Sequence, residues 1–415
     1  MSTNYNSADF SQLYSQYQSG GGIDDFKRFK PVLDIGSECS FFPNLNSHIG
    51  SLESGCKILS DRLAYLKIRQ AEVDKLISKV GLTSSLDELQ ELHRRLNVIA
   101  VELFLKGVGV MEIHSLITDY RHILTQRVVA VMSARMSPQP CEFAWFNMGS
   151  DGRREQTFFT DQDNALVYEV DSKPEIDEYF KIFAVETVSA LDKVGFTLCS
   201  GNIMPSNPDW RGSLEGWRRK MENIFHDQSQ NNLLRVIILM DIVFCAGSAS
   251  VSRHLIDKLH QMIQDNFGAL MVMARSAVMS SVALTMFKKF RLEKGPEHQG
   301  KFNIKLFGWA PLIMTARVFA LKYGFIETNT VARIRCLELQ HHFDAEFSYS
   351  LQQAYQVLAR AKMVSQVEAI VSGQEYDYYL DPETLKENEQ EELRRALSSV
   401  ESLQKLAYNS FFSGI

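Results

Sequence analysis

The residues from Phe146 to Val170, FNMGSDGRREQTFFTDQDNALVYEV, hold the densest set of groups able to do chemistry in this chain of 415 residues. Asp161 and Asp163 stand two apart where an apolar run begins. In an extended segment, side chains at i and i+2 point to the same face, so both carboxylates would aim at one point. Two ionised carboxylates held together repel, and the pair invites either a proton or a cation between them. Oxygen ligands on a strand suit Mg²⁺ or Mn²⁺, which complete an octahedral shell with waters and substrate phosphates. Gly149 lets the backbone approach a phosphate closely, and Ser150 adds a hydroxyl and an amide donor. Arg153 and Arg154 carry the further positive charge that a triphosphate needs. A site so composed would support in-line attack at the α-phosphorus of a nucleoside triphosphate, with one ion activating the acceptor hydroxyl and another holding the departing pyrophosphate.

Each piece alone has an ordinary explanation. A D-x-D at a strand start is often an Asx-type turn, Gly-Ser is common in loops, and Arg-Arg is usually a solvated pair. Their conjunction between two strands is what points to nucleotide binding. Sites of this kind use a third carboxylate from a neighbouring strand. Asp241, inside the apolar run VIILMDIVF, is the leading candidate, both as metal ligand and as general base toward the acceptor hydroxyl. The alternative is an acid at a strand end that faces water or pairs with an arginine. Glu155 is another acid in reach, with polar loop as its plainer explanation.

The elements that must position these groups are legible in outline. Strands are predicted at Phe143 to Met148, Ala165 to Val170, Thr197 to Ser200 and Val236 to Phe244, with helices at Ile176 to Val194 and around Leu214 to Phe225. Upstream, Ser54 to Val80 and Ser85 to Ser133 show helical periodicity; Ser85 and Glu88 fit a capping box, and Leu86, Leu89, Leu92 and Leu96 continue as an apolar stripe. Beyond about Ser250 the pattern is helical almost throughout, ending on a helix after Asp381 and Pro382. The most membrane-like stretch, Phe267 to Phe287, carries Arg275 near its middle. A charge there would cost about 2.5 to 3.5 kcal/mol in a bilayer, so a buried helix of a soluble bundle is expected.

Composition bounds the remaining choices. A hydrophobic fraction of 45% and a charged fraction of 23% are ordinary for a globular protein. The net charge of -6 offers no global attraction for nucleic acid or an anionic membrane. Six cysteines without a C-x-x-C pair indicate neither a zinc cluster nor a disulfide framework and fit a reducing cytoplasm. The start of the chain, rich in Ser, Asn, Gln and Gly, reads as a flexible tail rather than a secretory signal. The expected organisation is a tail over 1–50, a helical region over 51–136, a mixed core over 137–250 and a helical domain over 251–415.

The run GSDGRREQTFFTDQDNALV resembles the signature of bacterial nucleotidyltransferases related to the uridylyltransferase that modifies the nitrogen-signalling PII protein, within the DNA polymerase β superfamily. LHRRLNVIAVELFLKGVGVMEIHSLITDYRHILTQRVV and GNIMPSNPDWRGSLEGWRRKM are similar to flanking parts of that domain. GKFNIKLFGWAPLIMTARVFAL, TNTVARIRCLE and YYLDPETLKENEQEELRRAL resemble the helical substrate-binding domain that accompanies it. The resemblance implies an α+β fold: a polymerase β-like core with a mixed sheet, flanked by an N-terminal helical segment and a C-terminal all-α domain. It implies that Gly149 and Ser150 grip phosphate and that Asp161, Asp163 and Asp241 hold Mg²⁺ or Mn²⁺. The implied activity is transfer of UMP or AMP from an NTP to a hydroxyl of a protein acceptor in the cytoplasm, with membrane and nucleic acid set aside as partners. The competing reading is a catalytically silent nucleotide-binding module that signals through the helical domain. Two departures stand out. The first 84 residues read only as tail and helices, where members often carry cyclic-nucleotide-binding and CBS modules; and Val243 stands where the family has an arginine two residues after the late acid. In the helical domain, Lys301, Lys305 and Arg317 are candidates to meet phosphate or an acidic acceptor, Lys301 and Lys305 being one turn apart if they share a helix. Plain surface lysines are the alternative, just as Trp210 beside Asn207 and Arg211 fits either a base stack or an interface plug.

Overall fold

The computed structural model describes residues 10–18, 45–171, 173–227 and 229–413. Four helices come first: α1 (Ser11–Gln18), α2 (Leu45–Leu82), α3 (Leu86–Leu105) and α4 (Val110–Arg135). Ser85 caps α3, its hydroxyl accepting from the Glu88 amide at 3.3 Å, and Leu89, Leu92 and Leu96 are buried as the periodicity predicts. The single run expected from Ser85 to Ser133 divides between α3 and α4, where Gly107 takes a φ of 81° that a side chain would resist. Most of the tail expected over 1–50 lies outside the described residues; its described part includes α1, with Phe10 and Tyr14 buried.

The sheet follows: β1 (Phe143–Asn147), β2 (Asp161–Gln162) and β3 (Asn164–Tyr168), then helix α5 (Pro174–Val194), β4 (Thr197–Leu198), β5 (Arg211–Ser213), α6 (Leu214–His226), α7 (Gln230–Leu239) and β6 (Val243–Gly247). The strand order is β5-β3-β1-β6, with β1 antiparallel to both neighbours and β5 parallel to β3. Every residue of β1 and β3 is buried, the pattern of strands covered on both faces. Asn147 lies opposite Asn164, so the end of β1 that feeds the Gly149 bend sits beside the start of β3, which the two aspartates precede. β2 pairs in parallel with β4.

The strand expected over Val236 to Phe244 is a correction. Helix α7 runs to Leu239, the chain turns through Met240 and Asp241, and only then does β6 begin. The β-branched residues favour a strand, but Val236 and Leu239 bury one face at helical spacing. Tertiary burial decides.

The rest is helical: α8 (Ala249–Asp265), α9 (Phe267–Met279), α10 (Ala310–Lys322), α11 (Thr330–Leu339), α12 (Ala345–Ser372) and α13 (Glu387–Phe412). It is interrupted by the short antiparallel pair β7 (Phe302–Asn303) and β8 (Tyr379–Leu380), and a π-helical turn, Lys305–Trp309, leads into α10. The membrane-like stretch ends as helix at Met279 and buries one face through Leu270, Met273 and Ala277. Among the described residues no helix is long and apolar enough to cross a membrane. Buried apolar side chains of all three regions join in one contiguous cluster, so the sheet and the flanking helices share a core.

Candidate active site

Asp161 opens β2, and Asp163 occupies the one-residue break between β2 and β3. Their carboxylate oxygens and the Sγ of Cys199 all lie within 4.8 Å of one another. Burial, and then the Asp161 charge, push the Asp163 carboxyl up to about 6, while its Oδ1 is buried with no hydrogen-bond partner. Burial and the Asp163 charge also push the Cys199 thiol up to about 12, so it is a neutral S–H donor to Asp163 at neutral pH. An orphaned oxygen and two repelling carboxylates suit a divalent cation. Cys199 is absent from the candidates read in the sequence. Its placement comes from the parallel register of β2 and β4, Asp161 opposite Thr197 and Gln162 opposite Leu198, which local periodicity does not contain.

The Gly149 bend touches this cluster. The Met148 amide donates to the Asp163 carbonyl at 2.9 Å. Gly149 has a φ of 57°, and a Cβ there would sit 2.4 Å from Asp163 Oδ2. Glycine is therefore favoured by conformation, and a Cβ there would displace the Asp163 carboxylate. The chain from Gly149 to Gly152 forms a single helical turn, whose first amides have no helical acceptor. Ser150 donates its hydroxyl to Gln156 Oε1 at 3.1 Å.

Asp241 corrects the sequence reading. It lies outside the Asp161–Asp163–Cys199 cluster and is 1% exposed. Arg153 Nη1 donates to its Oδ2 at 2.6 Å, Arg333 Nη2 to its Oδ1 at 3.1 Å and Arg317 Nε to its Oδ1 at 3.2 Å, with Arg317 Nη2 closing on Oδ2 as well. Burial alone would raise this carboxyl, but Arg317, Arg153 and Arg333 hold it down to about 2. So saturated, it has no lone pair to spare for a metal and no basicity for proton abstraction. The arginine missing at Val243 is thus supplied from elsewhere in the chain.

The same knot consumes cations expected at the triphosphate. Arg153 is shared between Asp241 and Glu155, and Arg317 is buried on Asp241. Arg154 is exposed and donates to Asp119 at 2.6 Å. Glu155, fully buried, accepts from Arg153 Nε and from the Thr330 amide, each at 2.8 Å, at the N-terminus of α11 where the helix dipole favours an anion. Thr328 and Asn329 donate to the carbonyls of Gly152 and Arg153 at 2.7 and 3.0 Å. Gln366 of α12 accepts from the Phe158 amide at 3.1 Å and donates to Thr157 Oγ1 and to the Phe159 carbonyl at 3.1 and 3.3 Å. The helical domain therefore grips both the bend and the loop that leads into Asp161.

Lysines occupy the facing side. Lys305 starts the π-helical turn, with its Nζ 4.5 Å from the Tyr378 ring centre and its charge felt by Asp163. Lys301 precedes β7 and shares no helix with Lys305, and among the described residues it forms no ion pair with Asp161 or Asp163. Lys362 of α12 is only 6% exposed, its Nζ 5.7 Å from the Trp309 ring centre. Burial, then the Lys305 and Arg153 charges, lower it to about 7, with Glu155 and Asp161 pulling the other way. Trp210 is a plug, packed 6.4 Å from Trp217 between ring centres, with Asn207 capping its turn and Arg211 donating to the Pro205 and Ser206 carbonyls. A cavity of about 690 Å³ between α12, α13 and the α3–α4 connection, lined by Val108, Val357 and Leu393, contains none of Asp161, Asp163 and Asp241.

Residues 94–231 match the family model described as Putative nucleotidyltransferase DUF294, and residues 268–411 match the one described as Putative nucleotidyltransferase substrate binding domain. No curated protein matches the chain.

Proposed function

The chain belongs to the DUF294 family of putative nucleotidyltransferases, substrate-binding domain included, and from that premise we propose a divalent-metal-dependent transferase that moves UMP or AMP from an NTP to a hydroxyl of a protein acceptor. The observation that carries this reading is the convergence of Asp161 and Asp163 within 4.8 Å, directly against the Gly149 bend. Asp161 and Asp163 hold Mg²⁺ or Mn²⁺, which would supply positive charge to the triphosphate and to the attacking hydroxyl. Gly149 keeps the backbone low enough for phosphate oxygens to reach the first-turn amides, and Gln156 fixes the Ser150 hydroxyl beside them. The knot around Asp241 and Glu155 holds this constellation rigid without touching substrate. The choice of UMP or AMP and of a protein acceptor rests on the likeness to PII-modifying enzymes.

A second reading, a silent nucleotide-binding module, is favoured by one observation: the late acid Asp241 is sealed by three arginines, leaving a protonated thiol as third member of the cluster. Incubation with NTP labelled at the α-phosphate, Mg²⁺ or Mn²⁺ and a cell lysate separates the two. Label on a protein band that disappears with Asp161→Asn or Asp163→Asn supports the transferase. Tight nucleotide binding with no label moved supports the silent module and sinks the transferase.

A further inference from the structure

A buried ammonium without a counter-ion is one of the costlier things a protein can hold, and lysine is among the residues least often buried. Lys362 is such a group. It is 6% exposed, and among the described residues it makes no ion pair and no hydrogen bond; its Nζ lies 5.7 Å from the Trp309 ring centre, with the charges of Glu155 and Asp161 in reach. Methionine would fill the same volume without that penalty.

Its position gives the charge a purpose. Lys362 lies one helical turn before Gln366 on α12, and residues four apart share a helix face. Gln366 holds Thr157, Phe158 and Phe159, the residues that run into Asp161. Lys362 therefore faces the acid pair from the helical domain, and Lys305, whose charge reaches both Asp163 and Lys362, stands beside it. Two lysines oppose two aspartates, yet among the described residues neither lysine forms an ion pair with either acid. Each pair repels itself, and an anionic ligand entering between them would meet carboxylates on one side and, on the other, two lysines whose protonated form it favours. A polyphosphate chelated to a divalent ion has this order of charges: cation toward the acids, phosphate oxygens toward the lysines. The arginines that the sequence offered for phosphate, Arg153, Arg154 and Arg317, are already spent on Asp241, Glu155 and Asp119.

We propose that Lys362 and Lys305 form the subsite for the terminal phosphates of a metal-bound triphosphate, delivered to the acid pair by the helical domain. This rests on the nucleotide reading above and assigns the terminal phosphates to cations of the helical domain. It also gives the helical domain a direct share in the site.

The test uses the full chain and inorganic tripolyphosphate with Mn²⁺, a probe without base or acceptor, followed by calorimetric titration. Wild type is expected to bind it, and Lys362→Met to bind it roughly ten- to a hundredfold more weakly, as the loss of a charged hydrogen bond implies. Affinity for Mn²⁺ alone should be unchanged in Lys362→Met and lost in Asp161→Asn. The melting temperature of ligand-free Lys362→Met should equal or exceed that of wild type, which a structural lysine would not allow. Equal tripolyphosphate affinity in wild type and Lys362→Met, or no binding by wild type, overturns the subsite. Binding that depends on Lys362 in a protein that moves no label from NTP leaves the subsite standing and removes the transferase instead.

Discussion

Asp163 and Asp241 are the same side chain in opposite fields. Asp163 faces another carboxylate and a neutral thiol and, among the described residues, forms no ion pair; Asp241 faces three guanidiniums, so its charge is fully used. Removing one member of a buried ion cluster leaves the others uncompensated, at a cost of about 3 to 5 kcal/mol. Asp241→Asn is therefore expected to lower the melting temperature sharply while the protein that remains folded binds Mn²⁺ as wild type does. Denaturant titration together with a Mn²⁺ titration checks both halves; normal stability with lost metal binding would return Asp241 to the metal. The D-x-D pair was legible because i, i+2 spacing survives in any extended segment. The knot was not, because Arg153, Arg317 and Arg333 lie 88, 76 and 92 residues from Asp241 and meet it only through the fold.

Between residue and molecule, two short elements set the geometry. The Gly149 bend is one: Ala there would meet a φ of 57° and an oxygen of Asp163 at 2.4 Å from its Cβ. The left-handed conformation alone costs about 1 to 2 kcal/mol for a residue with a Cβ, and the contact forces Asp163 to move. Gly149→Ala should fold, lose a little stability and bind Mn²⁺ markedly more weakly; unchanged metal affinity would separate the bend from the acids. The loop held by Gln366 is the other. Gln366→Ala removes the side-chain acceptor of the Phe158 amide, and hydrogen exchange at residues 157–159 should quicken while that in β1 stays slow. Equal protection across both segments in the variant would contradict this. The strands β1 and β3 were legible as short continuous apolar runs bounded by turn residues, and helices α5 and α6 because burial on one helix face leaves a local period. Helix α7 and the two-residue β2 were not, since one is overridden by tertiary burial and the other is too short to leave any period; β4 falls within the strand expected over Thr197 to Ser200, but its pairing with β2 was not legible.

At the scale of the whole molecule, buried histidines tie the parts together and make the fold sensitive to acid. His93 meets the Val194 carbonyl at 3.0 Å and His114 the Gln156 carbonyl at 2.7 Å. Burial, aided by Arg121, brings His93 down to about 3; burial brings His114 down to about 4. Their folded values lie below the unfolded one of about 6.5, so the stability they contribute is present above that pH and is lost as pH falls toward the folded values. By pH 5 each removes roughly 2 kcal/mol, since the unfolded chain takes up a proton that the folded chain refuses. The histidines act against Asp163, whose raised carboxyl adds stability as pH falls over the same range, so the test is a difference: urea denaturation at pH 7.5 and pH 5 should show a smaller acid loss in His114→Gln than in wild type, and an equal loss in both would mean His114 is not buried as described. His114 also packs on Trp309 and Tyr355, so acid should loosen the seam that brings the lysines to the acids. The most direct measurement of the central claim is a crystal structure of the protein with Mn²⁺ and an NTP analogue that resists cleavage at the α-phosphate. The account predicts an anomalous peak bridging Asp161 and Asp163 with the triphosphate lying along Gly149 and Ser150; an ion bound at Asp241, or a nucleotide seated away from the bend, would contradict it.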